Sequence, residues 1–480
     1  MYSMQKGIAM SNLKRFYSDI MAMHHEVTGS CNLVIVKLPN GDTIEFVVDC
    51  GLFQEREYSK LNESFPFDPT NIDFVLVTHN HIDHIGRLPL MIKKGYRGKI
   101  YTTFDTSKLM PLALDDSYKV LRDIAKRRGE YPIYNDEDVD MTKGLIRPIP
   151  YSKEVWLNEH VKITFFVNGH LIGAAIILVQ VVNENCDPIN LLFTGDYNNR
   201  NMFFDVPDLP QEVLDLPLTI IQESTYGYMD STSIKKVFKE NILRCMERGG
   251  TAIAPIFSLG RGQEILYEVK LMQDSGELDA DIPIYFDGKL GIRYTHLYLN
   301  GSLNIKEEMK EFLPKNLTFV DKASRPDVLE DKDRKIILTT SGMGSYGPAQ
   351  VYIPEYIQRE NALIQFTGYT AEGTLGNRLK TAEFGDDVEV GGLIVKKRAD
   401  VEYTTEYSAH AKADEMIQFL QKFGNLKLVL VNHGQSDVKE KFAKRILDEV
   451  NTKYVGILGR DYFFRVDPYG LRKTLSTKFN

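Results

Sequence analysis

The segment THNHIDHIGRLP at residues 78–89 concentrates side chains that can hold a metal ion. Three histidines and one aspartate occupy the six positions 79–84, in a chain with ten histidines among 480 residues. The apolar run FVLV at 74–77 precedes them directly, as expected of a buried strand. Burying three imidazoles and a carboxylate together is costly without a compensating cation. The six residues therefore predict a metal site.

Three more apolar runs end at a residue that can bind a metal. ITFFVNG ends at His170, LLFTG ends at Asp196, and LKLVLVN ends at His433. In layered α/β folds the carboxyl ends of strands tend to meet at one edge of a sheet, where sites are built. We therefore expect these positions to join the first group. The candidate ligands are His79, His81, Asp83, His84, His170, Asp196 and His433.

This ligand set predicts two metal ions per chain. A catalytic zinc ion takes about three protein ligands and a water, so the set serves two ions if one carboxylate bridges them. Histidine and aspartate without cysteine favour zinc over manganese. The four cysteines, at positions 31, 50, 186 and 245, form no CxxC pair. This spacing argues against a cysteine zinc site or a disulfide framework, and predicts a cytoplasmic location.

The elements that must position these residues differ along the chain. Short segments rich in Val, Ile, Phe and Thr predict strands at 43–50, 73–79, 99–103, 161–169, 175–182, 191–197 and 218–224. A helical pattern lies within 105–145. From residue 232 onward helices alternate with strands, which predicts a mostly parallel, doubly wound sheet. A helix at 412–424, a strand at 426–434 and a further helix are predicted near the C-terminus.

The bulk composition is that of a globular protein. A length of 480 residues, with 43% hydrophobic and 26% charged residues, predicts two or three domains. The sequence contains no run of about 18 apolar residues, so no membrane span is predicted. The first residues lack the pattern of a secretory signal. The net charge of −8 is unlike that of most nucleic-acid-binding proteins.

Several motifs resemble those of a known enzyme family. THNHIDHIGRLP, Asp49 in VVDCG, His170 in NGHLIGAA and Asp196 in FTGDYN resemble the metallo-β-lactamase motifs. Other stretches resemble the β-CASP nucleases, which include bacterial and archaeal RNA-processing nucleases and the pre-mRNA 3′-end endonuclease. They are EVTGSCNLV, IIQESTYG, APIFSLGRGQE, TTSGMGSYGP, GYTAEGTLGNRL, YSAHAKADE and VNHGQSD. The resemblance extends from about residue 24 to residue 437.

The resemblance implies an architecture and a set of site roles. The fold would be α/β, an αββα metallo-β-lactamase sandwich at 1–227 and 400–480 with a doubly wound β-CASP insertion at 228–399. By the same resemblance, His79, His81 and His170 would bind the first zinc ion. Asp83, His84 and His433 would bind the second, and Asp196 would bridge both. Asp49 resembles a residue that orients ligands.

The β-CASP motifs add two catalytic residues and some contacts to the substrate. His410 resembles the histidine that faces the scissile phosphate, and Glu223 resembles its supporting acid; Asp83 and Asp196 would also serve catalysis. Glycine-rich loops can bring backbone amides close to a phosphate, although tight turns explain the same glycines. The phosphate-contact candidates are Arg261, Ser341, Ser345, Thr374 and Arg378.

The predicted function is hydrolysis of single-stranded RNA by a hydroxide activated by two zinc ions. The products would carry 5′-phosphate and 3′-hydroxyl ends. The alternatives are a DNA-repair nuclease of the same family, in which valine usually replaces the histidine found here as His433, and an inactive scaffold subunit. FDGKLGIRYTHLY at 286–298 and Gln435 depart from the family pattern and leave the substrate preference open. Endonuclease or exonuclease action and a homodimeric state also stay open.

Overall fold

A computed structural model describes residues 16–24, 26–368, 370 and 373–476. The chain divides into two compact units, the first formed by 1–201, 205–231 and 410–480, and the second by 202–204 and 232–409. In the quoted GYTAEGTLGNRL motif, Tyr369, Ala371 and Glu372 lie outside the described residues, as do both ends of the predicted metallo-β-lactamase domain.

The first unit begins with a series of strands interrupted by helices. The strands are β1 Tyr17–Ala22, β2 Asn32–Lys37, β3 Thr43–Val48, β4 Phe74–Leu76, β5 Lys99–Thr103, β6 Ile146–Ile149, β7 Val155–Trp156, β8 Val161–Val167, β9 Ala175–Asn183, β10 Cys186–Phe193 and β11 Leu218–Glu223. The helices are α1 Ile82–Ile85, α2 Leu88–Lys93, α3 Phe104–Arg128, α4 Asp136–Leu145 and α5 Gln211–Leu214.

The second unit alternates helices and strands. The strands are β12 Thr251–Pro255, β13 Ile284–Asp287, β14 Leu317–Val320, β15 Lys335–Thr339, β16 Leu363–Phe366, β17 Asp387–Val390, β18 Leu393–Lys396 and β19 Asp400–Tyr403. The helices are α6 Phe238–Glu247, α7 Arg261–Asp274, α8 Lys289–Leu299, α9 Arg325–Glu330, α10 Ala349–Tyr356 and α11 Leu375–Thr381.

The chain then returns to the first unit. The final elements are α12 Ala413–Gln421, β20 Leu426–Asn432, α13 Ser436–Glu449, β21 Val455–Ile457, β22 Tyr462–Asp467 and β23 Gly470–Ser476. In the described residues no helix is long and apolar enough to cross a membrane.

The first unit is a four-layer sandwich. Its described strands form one sheet in the order β23-β22-β1-β2-β3-β4-β5-β6 and another in the order β21-β20-β11-β10-β9-β8-β7. Apolar side chains of both sheets, such as Phe46 and Ile177, form the core between them. Helices α1 to α4 cover the outer face of the first sheet, and α12 and α13 cover that of the second. The predicted αββα fold is confirmed.

Burial on both faces explains why the strands of the second sheet are continuously apolar. In β9, the first five residues, AIILV, are all buried, because alternate side chains enter the central core and the layer beneath the helices. Two other strands of this sheet show the same pattern: β11 and β20 are buried almost throughout. Because β11 and β20 pair in parallel, their carboxyl ends lie side by side at one edge of the sheet.

The second unit contains a fully parallel sheet. Its order in the described residues is β14-β13-β15-β12-β16-β19, and each neighbouring pair is parallel. Helices α10 and α11 pack on one face around Phe366 and Ile353. A separate hairpin, β17–β18, turns at Gly391 and Gly392, whose φ angles of 62° and 82° suit a tight two-residue turn. The predicted doubly wound insertion is confirmed.

The structure differs from the predicted elements in several places. The helical segment at 105–145 forms two helices, because Gly129 ends α3 with a φ of 69° and Asn135 caps the start of α4. The first sheet also contains β1, β2, β6, β22 and β23, which the pattern did not predict. In β22, the sequence YFFRVD places apolar residues on both faces, so it lacks the clear alternation of a half-buried strand.

Candidate metal centre

The candidate ligands lie at strand ends within the first unit. His79 follows β4, His170 follows β8, and Asp196 follows β10 by a short turn. His433 comes directly after β20, which pairs in parallel with β11, as β11 does with β10. Parallel neighbours end at the same sheet edge, and this brings distant parts of the chain together. His81, Asp83 and His84 come from the start of α1.

The first group consists of His79, His81, His170 and Asp196, whose ligand atoms lie within 4.8 Å of one another. The Nε2 atoms of His79 and His170 are each 3.1 Å from Nδ1 of His81. The Oδ2 atom of Asp196 lies 3.5 Å from Nε2 of His79 and 3.7 Å from Nε2 of His170. Three nitrogens and one oxygen thus face a common point.

The second group consists of Asp83, His84 and His433. The Nε2 atoms of the two histidines are 3.2 Å apart, and each lies 4.0 Å from Oδ2 of Asp83. The other oxygen of Asp196, Oδ1, lies 3.2 Å from Nε2 of His84 and 3.3 Å from Nδ1 of His433. The two oxygens of Asp196 therefore face different groups.

The chemistry of these donors suits divalent metal ions. Asp196 is buried, yet no hydrogen bond reaches its Oδ1 atom within the described residues. A buried acceptor left unpaired costs about 1–3 kcal/mol, and a bound cation would satisfy it. Imidazole and carboxylate donors without thiolates are typical ligands of zinc and of related ions.

Asp49 orients the candidate ligand His84 by contacting the ring nitrogen that faces away from the second group. Its backbone has a φ of 63°, and its carboxylate accepts hydrogen bonds from both the amide and the hydroxyl of Thr78, each 2.8 Å long. The Oδ2 atom also lies 2.8 Å from Nδ1 of His84. A proton on that nitrogen leaves Nε2 of His84 unprotonated and facing the second group, as a metal ligand requires.

His410 lies beside the ligands and is held by Glu223. Its Nδ1 atom is 2.9 Å from Oε1 of Glu223, while its Nε2 atom lies 3.9 Å from Oδ2 of Asp196. The buried Glu223 also accepts hydrogen bonds from the backbone amides of Tyr197, at 2.7 Å, and Thr225, at 2.9 Å. These contacts fix the carboxylate, which in turn fixes the imidazole.

Burial and neighbouring charges shift the pKa values of these groups. Burial lowers the pKa of His79 and His81, which favours the unprotonated form that binds metal. Burial alone would also lower the pKa of His84, but Asp196 and Asp49 raise it well above the usual value. For His410, burial again acts downward, and Glu223 outweighs it, so that its pKa is raised.

The five phosphate-contact candidates belong to the second unit, whereas the seven candidate ligands belong to the first. They are Arg261, Ser341, Ser345, Thr374 and Arg378. Arg261 begins α7, is 7% exposed, and pairs with Glu264. Ser341 follows β15 at the start of the glycine-rich loop. The hydroxyl of Ser345 accepts the amide of Leu375 at 3.0 Å, so it connects that loop to α11.

Thr374 and Arg378 contact neighbouring backbone. The hydroxyl of Thr374 accepts the amide of Asn377 at 3.3 Å and caps α11. The guanidinium of Arg378 donates to the carbonyl of Gly373 at 3.0 Å. These hydrogen bonds show that both side chains stabilise the local backbone. Their contact with a substrate phosphate stays a prediction.

Two threonines of the centre received no role from the sequence. Thr78 positions Asp49, and the hydroxyl of Thr225 lies 3.1 Å from Nδ1 of His433. Both lie inside quoted motifs, THNH and ESTYG. A hydroxyl is a common partner in turns and caps, so the pattern alone carries no signal for such a task.

Comparison with known families and proteins shows what the whole chain is similar to. Three family models match: a metallo-β-lactamase superfamily domain at 38–205, a β-CASP domain at 262–379, and a Zn-dependent metallo-hydrolase RNA specificity domain at 394–455. The chain is 31% identical over 427 residues to ribonuclease TTHA0252 of Thermus thermophilus, covering 86% of this chain and 91% of that protein.

Two further relatives extend the comparison to archaea and eukaryotes. The chain is 30% identical over 413 residues to an RNase J-like protein of Methanocaldococcus jannaschii, with 83% of this chain and 89% of that protein covered. It is 25% identical over 467 residues to the endoribonuclease YSH1 of Eremothecium gossypii, with 92% of this chain and 58% of that protein covered.

Proposed function

Because this chain belongs to the β-CASP family of nucleases with the metallo-β-lactamase fold, we propose that it is a zinc-dependent ribonuclease acting on single-stranded RNA. It would hydrolyse phosphodiester bonds and leave 5′-phosphate and 3′-hydroxyl ends. The observation that carries the proposal is the position of Asp196, whose two oxygens face the two ligand groups. We propose two zinc ions per chain, one for each group.

The residues present would hold these ions and position the reacting phosphate. Two zinc ions, when bound, acidify water and neutralise charge on a phosphate oxygen. His79, His81 and His170 would hold one ion, with Asp196 shared between both. Asp83, His84 and His433 would hold the other. The buried surroundings exclude bulk water and strengthen each electrostatic contact.

His410 would protonate the leaving oxygen. Its Nδ1 atom is engaged by Glu223, and its Nε2 atom lies on the side of Asp196, 3.9 Å from Oδ2, so Nε2 would be the donor. Burial acts to lower the pKa of His410, but Glu223 raises it overall, which favours the protonated imidazole that a general acid requires. The proton would pass from Nε2 to the 3′-oxygen as the phosphorus–oxygen bond breaks.

RNA is preferred over DNA as the proposed substrate for three reasons. The domain matched at 394–455 is described as an RNA specificity domain, and the matched proteins above are named as ribonucleases or as RNase-like. The presence of His433 points the same way, since family members acting on DNA usually carry valine there.

A cytoplasmic location and a homodimer remain proposals that rest on the sequence.

A cleavage assay tests the proposal. Purified protein is incubated with zinc and with RNA labelled either at its 5′ end or internally, beside DNA of the same sequence. We expect RNA to be cut much faster than DNA, with phosphate at the 5′ end of the products. A ladder of fragments would indicate endonuclease action, and mononucleotides exonuclease action. Equal cleavage of DNA, or none of RNA, would overturn the proposal.

A further inference from the structure

Two loops run side by side next to the candidate metal centre. They follow the parallel strands β11 and β20, in which Glu223 is paired with Asn432. The amide of Ser224 donates to the carbonyl of His433 at 3.1 Å, and the hydroxyl of Ser224 donates to the carbonyl of Asn432 at 2.8 Å. A side chain at Gly434 would overlap the Ser224 hydroxyl. The loops are therefore tightly joined.

Thr225 contacts both Glu223, which holds His410, and His433 of the second ligand group. Its amide donates to Oε2 of Glu223 at 2.9 Å, and the other oxygen of that carboxylate holds His410. Its hydroxyl lies 3.1 Å from Nδ1 of His433 and 3.4 Å from the carbonyl oxygen of the same residue. One residue thus contacts both the ligand of the second group and the support of the general acid.

The chemistry of His433 requires such a partner. Its Nε2 atom faces His84 and Asp83, and a nitrogen that binds a metal carries no proton. The proton of the neutral ring must then reside on Nδ1, which needs an acceptor. The Thr225 hydroxyl can accept it while donating its own hydrogen to the His433 carbonyl. Oδ1 of Asp196 is also 3.3 Å from Nδ1, but that oxygen faces His84 as well.

The backbone of His433 also needs support. Its φ is 47°, in the left-handed region that is unfavourable for residues other than glycine and typically found where surrounding contacts hold it. The amide of Ser224 and the hydroxyl of Thr225 both donate to the backbone carbonyl of His433. They therefore constrain both its backbone and its ring.

We infer that Thr225 is a positioning residue that fixes the tautomer and the orientation of His433 for the second metal ion. This inference rests on the proposed function, because it presumes that the second group holds a metal. Through its backbone amide the same residue also holds Glu223. Side-chain changes at position 225 thus affect the metal, while the amide contact to Glu223 is retained.

The test compares Thr225→Val with Thr225→Ser. Valine has the shape of threonine without the hydroxyl, and serine keeps the hydroxyl. Each variant is loaded with zinc and dialysed against graded chelator, and its metal content is measured. We expect Thr225→Val to lose affinity for one of two zinc ions by about 10–100-fold, in the range for lost outer hydrogen bonds to ligands. Thr225→Ser should stay within about threefold of the parent, and His433→Ala should lose the same ion as Thr225→Val.

A second measurement keeps the test independent of activity and of folding defects. Nitrogen NMR of histidines labelled with ¹⁵N in the zinc-loaded protein reports which ring nitrogen carries the proton. We expect one signal pattern with protonated Nδ1 for His433 in the parent and in Thr225→Ser, and a changed pattern in Thr225→Val. Retention of both ions with parental affinity in Thr225→Val would overturn the inference, as would an equal loss in Thr225→Ser. A parent protein that binds no metal would instead overturn the proposed function.

Discussion

At the scale of single residues, a substitution of His410 tests the catalytic step without removing a candidate metal ligand. It lies beside the ligands but is held by Glu223 instead of facing a ligand group. We expect His410→Ala to keep both metal ions and to bind RNA within a few-fold of the parent. Its cleavage rate should fall by about 10²–10⁴, the usual contribution of a general acid. Metal analysis and single-turnover cleavage measure these quantities.

The control for this prediction is a substrate with a better leaving group. Bis-p-nitrophenyl phosphate needs little protonation as its bond breaks, so the defect of His410→Ala should be much smaller there. Loss of a metal ion, or an equal defect on both substrates, would show that His410 is a ligand or a phosphate contact and not the acid.

The pH dependence of cleavage follows from Glu223. This carboxylate raises the pKa of His410 against the opposing effect of burial. Because the acid acts in its protonated form, the rate should fall as the pH rises through the pKa of His410. Glu223→Gln removes the charge and lowers that pKa, so the alkaline fall in kcat/KM for RNA should move to lower pH. An unmoved alkaline limb in Glu223→Gln would contradict the assignment.

The residues of the centre differ in how well the sequence predicted them. The structure brings the seven ligand candidates together, and the sequence singled them out because they stand at or just after the ends of four apolar runs, where strand ends meet at one edge. The roles of Thr78 and Thr225 could not be predicted, since they depend on hydrogen bonds between loops distant in sequence. The left-handed backbone of Asp49 and His433 was equally hidden, because neither is a glycine.

At the scale of elements, helix α1 is held against a neighbouring loop with no space between them. The amide of Cys50 donates to the carbonyl of His84 at 2.7 Å, and a Cβ atom at Gly51 would overlap the backbone of Asp83. The backbone that carries Asp83 and His84 is thus positioned by a glycine. This close approach explains why no larger residue is compatible with position 51.

We predict that Gly51→Ala weakens the second metal group more than the first. The added methyl group must displace the backbone of α1, which carries Asp83 and His84, whereas His170 lies on another loop. Metal content after chelator dialysis measures the effect. Gly144→Ala serves as the control, because that glycine is in α4 with open space around it. There, alanine should raise the stability by about 0.5–1 kcal/mol. Equal metal retention in Gly51→Ala and the parent would contradict the prediction.

Sequence patterns predicted the elements of the second sheet better than those of the first. Strands buried on both faces, such as β9 and β20, appear as uninterrupted apolar runs. In contrast, β1 contains polar residues and gains its place by pairing with β22, near the other end of the chain. Such long-range pairing leaves no local pattern to read.

At the scale of the whole molecule, all candidate ligands belong to the first unit. A metal ion that binds only the folded state stabilises it by about 4 kcal/mol when its concentration is 1,000 times its Kd. We therefore expect chelation to lower the melting temperature of the first unit and to leave that of the second in place. Calorimetry with and without zinc, together with a metal content near two per chain, tests this. A chelator without effect on any transition would contradict it.

The parallel pairing of β20 with β11 has a consequence for the timing of synthesis. His84 and His433, which meet in one group, are 349 positions apart. At roughly 5–20 residues per second, a ribosome needs about 20–70 s to travel between their codons. Until the later strand emerges, the second sheet has an open edge and the second group lacks a ligand. The growing polypeptide therefore lacks a complete second ligand group until residue 433 has been synthesised, while the message is still on the ribosome.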